Sequence, residues 1–197
     1  MKYTINKGSF SPKGLHLPGF GKASPASRTY TVNFSQSAWY EPSEGWNVEK
    51  DWNKLCGWSI GWLPWKVPGK PWYKPSSWEP AHHKNSVRVG WRASGTKEEP
   101  RIELCLYTYS QGVRTVETLL QPNGTPEELY LDMTYELELA IEEGHMEVGL
   151  CLEGGGYLTS QSLLFPEVEG PSYSLKPYFG GSNPAPHTMT IEVTQQS

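Results

Sequence analysis

The sequence lacks any apolar run approaching the roughly 20 residues that a membrane-spanning helix requires, so membrane insertion is not expected. Its opening stretch, MKYTINKGSFSPKGLHL, has no apolar core behind the basic residues, so no signal peptide is read there and synthesis is expected to be cytoplasmic. Helical periodicity is nearly missing, which excludes helix bundles and α/β folds. A broad basic field is missing too. Seventeen Lys and Arg against 21 Asp and Glu give a formal charge of -4, and binding to nucleic acid or to anionic membranes through phosphate neutralisation is disfavoured.

Cysteine is sparse. Cys56, Cys105 and Cys151 lie in LCG, ELCLY and GLCLE, without CxxC spacing and in odd number, so they read as free thiols packed in strands. HExxH, GxSxG, P-loop and dinucleotide fingerprints do not occur, and the five histidines lack ligand spacing. No cofactor and no metal are expected. Asp51 and Asn53 give the only hint of a calcium loop, and a turn or capping role suits them better.

The chain has short alternating segments: TYTVNF (29–34), LCGWSI (55–60), SVRVGWR (86–92), RIELCLYTY (101–109), VRTVETLL (113–120), YELELAIEE (135–143), MEVGLCL (146–152) and HTMTIEV (187–193). YLTSQSLLF (157–165) and YSLKPYF (173–179) are weaker candidates. Such strands, separated by turn chemistry, predict an all-β antiparallel β-sandwich, jelly roll or barrel in one domain over residues 1–197. Hairpins are predicted at Gln111–Gly112 and around Gly144. Alternation puts Val87, Val89 and Trp91 on one side of their strand, opposite Arg88, Gly90 and Arg92. It likewise sets Ile102, Leu104 and Leu106 opposite Glu103, Cys105, Tyr107 and Tyr109, and Val148, Leu150 and Leu152 opposite Gly149 and Cys151. The Arg and Tyr side reads as a concave face lined for a polar ligand.

Three motifs, DWNKLCGWS (51–59), HHKNSVRVGWR (82–92) and LKPYFGGSNPAPHTMTI (175–191), resemble in order and spacing a set of bacterial and phage proteins with the pattern NKLxGxS, HHxNSxRxGWR and LxPYFGGxxxAPH. The resemblance spans residues 51–191 and implies a concanavalin A-like jelly roll of the lectin and glucanase type. That fold carries binding modules, laminarinases and polysaccharide lyases alike. The stretch between Trp58 and His82 is longer and richer in Trp than the pattern of the set, which marks about 61–85 as a Trp/Pro-rich loop insertion.

Retaining glycosidases of this fold class place two carboxyls about 5 Å apart on one strand. YELELAIEE puts Glu136, Glu138 and Glu142 on one side, but Ala140 interrupts them and the central Asp is missing, so a solvated strand face is the better reading. A polyuronate lyase needs a cation for the substrate carboxylate and a Tyr or His for proton transfer. Arg88, Arg92, Tyr107 and Tyr109 with His82, His83 or His187 could supply these. The competing reading makes His82 and His83 a strand-entry pair bonded to backbone and His187 a loop anchor. No catalytic residue is assigned.

The segment GWLPWKVPGKPWYKPSSW (61–78) holds four Trp, one Tyr and four Pro. Trp62, Trp65, Trp72, Tyr73 and Trp78 offer flat apolar faces that stack on sugar rings or on protein, and prolines reduce the entropy lost on binding. With Arg88, Arg92, Tyr107 and Tyr109 they form the expected ligand surface. A noncatalytic, lectin-like carbohydrate-binding module, with a polysaccharide or glycan as partner, is the first expectation. A structural or accessory protein of an assembly such as a virion, using the same aromatics against protein partners, is the second. A polysaccharide lyase is the third.

Overall fold

In a computed structural model, which describes residues 1–13, 20–22, 26–41, 52–61, 63–165, 170–180 and 183–196, the alternating segments become antiparallel strands. In chain order these are β1 (Lys2–Ile5), β2 (Phe20–Lys22), β3 (Ala26–Phe34), β4 (Asn53–Ile60), β5 (Trp65–Lys66) and β6 (Trp78–Glu79). Then come β7 (Ser86–Gly95), β8 (Pro100–Ser110), β9 (Val113–Thr118), β10 (Glu128–Tyr130) and β11 (Thr134–Glu142). The last four are β12 (His145–Leu152), β13 (Gly156–Leu164), β14 (Pro171–Ser174) and β15 (Met189–Gln195). One sheet runs β1-β15-β3-β11-β12-β13, and the other β10-β8-β7-β4-β14-β2, with β9 also paired to β8. The fold is an all-β antiparallel sandwich of the jelly-roll class. No helix among the described residues is long and apolar enough to cross a membrane.

The core follows the period-two reading. Val32, Phe34, Leu137, Leu139, Val148 and Leu150 of the first sheet meet Leu55, Trp58, Val87, Val89, Trp91, Ile102, Leu104 and Leu106 of the second, all essentially buried. Trp91 sits 5.3 Å from Phe34 and 6.1 Å from Phe179, ring centre to ring centre. Losing an indole at such a position costs about 3–5 kcal/mol. Leu152, after a bulge at Leu150/Cys151, is only half-buried. Glu136, Glu138 and Glu142 are exposed on the opposite face of β11, so the solvated-face reading holds for them.

The predicted hairpins form with positive φ at both central residues, Gln111 (49°) and Gly112 (82°), then Glu143 (49°) and Gly144 (79°). That is the pair of conformations that matches the twist of the flanking strands. Cys56 and Cys105 are buried free thiols, and Cys151 is half-buried. Burial pushes the Cys56 thiol up to about 12 and raises that of Cys105 as well, so neither forms the reactive thiolate at neutral pH.

Candidate functional site

Two surfaces carry the expected ligand residues, and the structure treats them differently. The first is the outer side of β4, β7 and β8. Gly57, Arg88 and Tyr107 lie in register across the three strands, and Gly90 pairs with Lys54 on one side and Cys105 on the other. Glycine is required at Gly57: its φ is 134°, and a Cβ there would stand 2.2 Å from the Val87 carbonyl oxygen.

The expected open Arg and Tyr face is instead covered. Arg88 is 7% exposed and Tyr107 3%, and Trp52, Cys105 and Tyr107 form a small buried cluster of their own. Beyond β14 the chain continues alongside β4 in the same sheet. Leu175 donates its N–H to the Gly57 carbonyl, and Tyr178 exchanges backbone hydrogen bonds with Lys54. The weaker candidate YSLKPYF is thus a strand only at its start, then an isolated bridge at Tyr178 beyond Pro177, since proline cannot donate to a ladder.

The polar groups here are largely engaged within the protein. Lys54 Nζ donates to the carbonyls of Trp52 (2.7 Å) and Gly180 (3.2 Å) and lies 4.8 Å from the Tyr107 ring centre. Arg92 donates to Glu103 from Nε at 2.7 Å and pairs with it from Nη2 at 2.6 Å, while its guanidinium sits 4.3 Å over Trp52. Arg92 is therefore a structural ion pair and not a partner of Arg88. Arg88 donates from Nη2 to the Lys176 carbonyl (2.9 Å), and its Nε finds no partner among the described residues. Burial lowers Arg88 to about 10, against the opposing influence of Tyr107, Cys56, Tyr173 and Tyr109, so it stays charged at neutral pH.

At the rim of this face the two histidines bond to side chains, which corrects the backbone-bonded reading. His82 Nδ1 stands 3.4 Å from the Tyr173 hydroxyl and His83 Nδ1 3.2 Å from Glu79 Oε2. Burial, with smaller effects of His83 and Arg88, lowers His82 to about 4, so it is neutral at pH 7. Tyr109 packs between His83 and Tyr107, with ring centres at 5.4 and 5.9 Å. Burial raises its hydroxyl above the ordinary tyrosine range, opposite to the shift a tyrosinate base needs. His187 lies elsewhere, donating from Nε2 to the Ser37 carbonyl (2.9 Å), the anchoring role read from its loop. Asn53 is buried, donating to the Tyr40 hydroxyl (2.9 Å) and accepting from Gly180 N–H (2.5 Å). Asp51 lies outside the described residues. Among the described residues no cluster of His, Cys, Asp and Glu is placed to hold a metal ion.

The second surface is the β5–β6 hairpin. Trp65 pairs with Glu79 and Lys66 with Trp78, and residues directly opposite share a face. The Trp65 face turns inward, its ring lying against Gly112, where a Cβ would come within 2.6 Å of the indole. Trp65 is half-buried and docks the hairpin on Gly112. Lys66 and Trp78 share the other face, and Trp72 and Tyr73 lie in the connection between the two strands: Trp72 is 72% exposed, Tyr73 67% and Trp78 47%. Trp78 Nε1 donates to the Trp72 carbonyl (2.9 Å), and the Trp72 and Tyr73 rings meet edge to face at 6.1 Å. Backbone turns closed by Lys70, Lys74 and Ser77 N–H groups, together with Pro64, Pro68, Pro71 and Pro75, hold these rings in place. An open groove of about 350 Å³ runs beside the hairpin, bordered by Leu63, Trp65, Lys84 and Asn85. Trp62 lies outside the described residues.

The sequence reading missed Trp52, Lys54 and Tyr173 as members of the buried face, and Glu79 as the partner of His83. Lys54 stands inside a motif quoted above, but a register shift between Lys54 and Cys56 inverts its parity.

No protein-family model matches the chain, and no curated protein matches it in sequence. Its fold is similar to solved structures at low identity. An exolytic PL7 alginate lyase from Zobellia galactanivorans superposes with a TM-score of 0.54 at 8% identity, over 100% of this chain and 83% of that one. An alginate lyase from Klebsiella pneumoniae does so at 0.50 and 8%, over 86% of this chain and 59% of that one, so the chain spans about three fifths of its length. A CBM2 module of a Lactobacillus casei phage J-1 evolved Dit reaches 0.45 at 10%, over 98% and 74%. At such identities the likeness is one of fold.

Proposed function

We propose that this chain is a noncatalytic carbohydrate-binding module whose ligand surface is the outward face of the β5–β6 hairpin. The observation that carries the reading is the shared exposure of Trp72, Tyr73 and Trp78 on a backbone fixed by prolines and by the Trp78–Trp72 hydrogen bond. Large rings left in water and already ordered bind with little further entropy loss, and the C–H faces of sugars stack on them. In this reading residues 1–197 form one jelly-roll domain, and about 61–85 is an inserted loop. Arg88 and Tyr107 drop out of the ligand surface because they are covered, and Arg92 because Glu103 holds it. Arg88, Arg92 and Tyr107, the residues read for a polyuronate lyase, are thus engaged within the protein.

The test is a glycan array read with the wild-type protein, Trp72→Ala and Tyr73→Ala, with circular dichroism as the fold control. Binding that either substitution abolishes supports the proposal, and a blank array contradicts it. Leu63, 79% exposed next to the aromatics, favours a second reading in which the patch contacts protein in an assembly, a virion included. Light scattering that shows stable oligomers lost on Trp72→Ala would support that second reading, and a clean monomer would count against it.

A further inference from the structure

The outward face of the hairpin is not only aromatic. Lys66 stands directly across from Trp78, so its ammonium shares the face of the exposed indole. Lys70 and Lys74 follow in the connecting turn, both exposed, with Lys70 Nζ donating to the Ser76 carbonyl at 3.2 Å. The single carboxylate of the hairpin, Glu79, is on the opposite, docked face across from Trp65, and His83 engages it there. Lys66, Lys70 and Lys74 are thus all exposed in the stretch of chain that carries Trp72, Tyr73 and Trp78, and Glu79 is the only carboxylate between residues 63 and 85, on a chain whose formal charge is -4. A patch of reversed sign on an acidic protein attracts an acidic ligand, while the rest of the surface repels it.

From this arrangement we infer that the polysaccharide bound at the hairpin is anionic, carrying carboxylates or sulfates that the three ammonium groups meet while the rings stack on the sugar faces. The inference rests on the carbohydrate-binding reading above and adds the charge class of the ligand. Lysine suits this role as a mobile point charge that imposes no fixed fork geometry. Because these lysines are exposed, their attraction is screened over about 8 Å at physiological salt, so the preference must fade as salt rises.

The test uses two matched pairs of polymers: polygalacturonate against its fully methyl-esterified form, and dextran sulfate against dextran. A single-stranded oligodeoxynucleotide serves as a polyanion of another class. Binding is measured by biolayer interferometry at low and high salt. At low salt the charged member of at least one pair is expected to bind on the order of tenfold tighter, with the gap closing at high salt. A polygalacturonate preference identifies carboxylate and a dextran sulfate preference identifies sulfate. The triple variant Lys66→Gln, Lys70→Gln, Lys74→Gln, whose exposed side chains leave the fold intact, is expected to lose that gap. Equal, salt-independent binding to charged and uncharged members overturns the charge inference while leaving the carbohydrate reading standing. Preferential binding of the oligodeoxynucleotide, or no binding to any polysaccharide, overturns both. A charge preference that survives the triple substitution overturns the assignment to these lysines.

Discussion

On the outer side of β4, β7 and β8, Trp52, Lys54, Arg88 and Tyr107 lie buried against one another, whereas on the β5–β6 hairpin Trp72, Tyr73, Trp78 and Lys66 stand in solvent. Both regions combine aromatics with cations, and composition alone gives them the same promise as ligand surfaces. Their surroundings separate them. The broad sheet presents a full second face, and the 174–180 segment runs along β4 and supplies carbonyls to Lys54 and Arg88. A hairpin with two residues in each strand has one face on the sandwich, through Trp65 and Gly112, and its other face leaves Lys66 and Trp78 exposed. The lesson is that aromatic and cationic residues mark a binding surface only where the chain leaves them uncovered. Where it covers them, cation and ring become each other's partners.

Four substitutions and titrations separate the two regions, in descending order of effect. Gly57→Ala, directly beside Arg88 in the sheet, places a Cβ against backbone atoms at a φ of 134°. It is expected to remove several kcal/mol of the roughly 5–15 that hold a domain together, read as an unfolded or insoluble protein or a melting point lowered by more than about 10 °C. A melting point within a few degrees of wild type would break the assigned register. Tyr107→Ala truncates a buried ring and is expected to cost about 3 kcal/mol, or about 6–12 °C in thermal denaturation. Trp72→Ala should reverse that pattern, with stability held within about 0.5 kcal/mol and glycan affinity lowered about tenfold or more in titration calorimetry.

The smallest effect is a pH dependence at the rim. His82 is neutral in the folded protein down to about pH 4, while in the unfolded chain it takes up a proton near 6.5. The unfolded state therefore binds more protons between these values, and stability falls as pH drops from about 6.5 toward about 4. Chemical denaturation across that window should show a shallower slope for His82→Gln, reduced by the partial solvent screening of the site.

Most of the sandwich was legible from the sequence because period-two alternation in SVRVGWR, RIELCLYTY and MEVGLCL reports directly which side meets the core. The Gln111–Gly112 and Glu143–Gly144 turns were legible because few residue pairs accept positive φ twice in succession. The covering of the second face was not. Alternation reports which face a residue occupies, and it carries no information on which distant carbonyls meet that residue, as those of Gly180 and Lys176 meet Lys54 and Arg88. The division of the aromatic loop was equally hidden: Trp65 and Trp78 differ only by parity in a two-residue strand pair, too short to leave a pattern.

The central claim, that ligand meets the hairpin and not the sheet face, is tested most directly by following the indole N–H signals of the nine tryptophans by nitrogen-15 NMR during titration with polygalacturonate or another glycan that the array selects. The account predicts that the Trp72 and Trp78 signals move together while those of Trp52, Trp58 and Trp91 stay fixed. Movement of Trp52 and of the Arg88 Nε–H signal, with Trp72 and Trp78 unchanged, would contradict it.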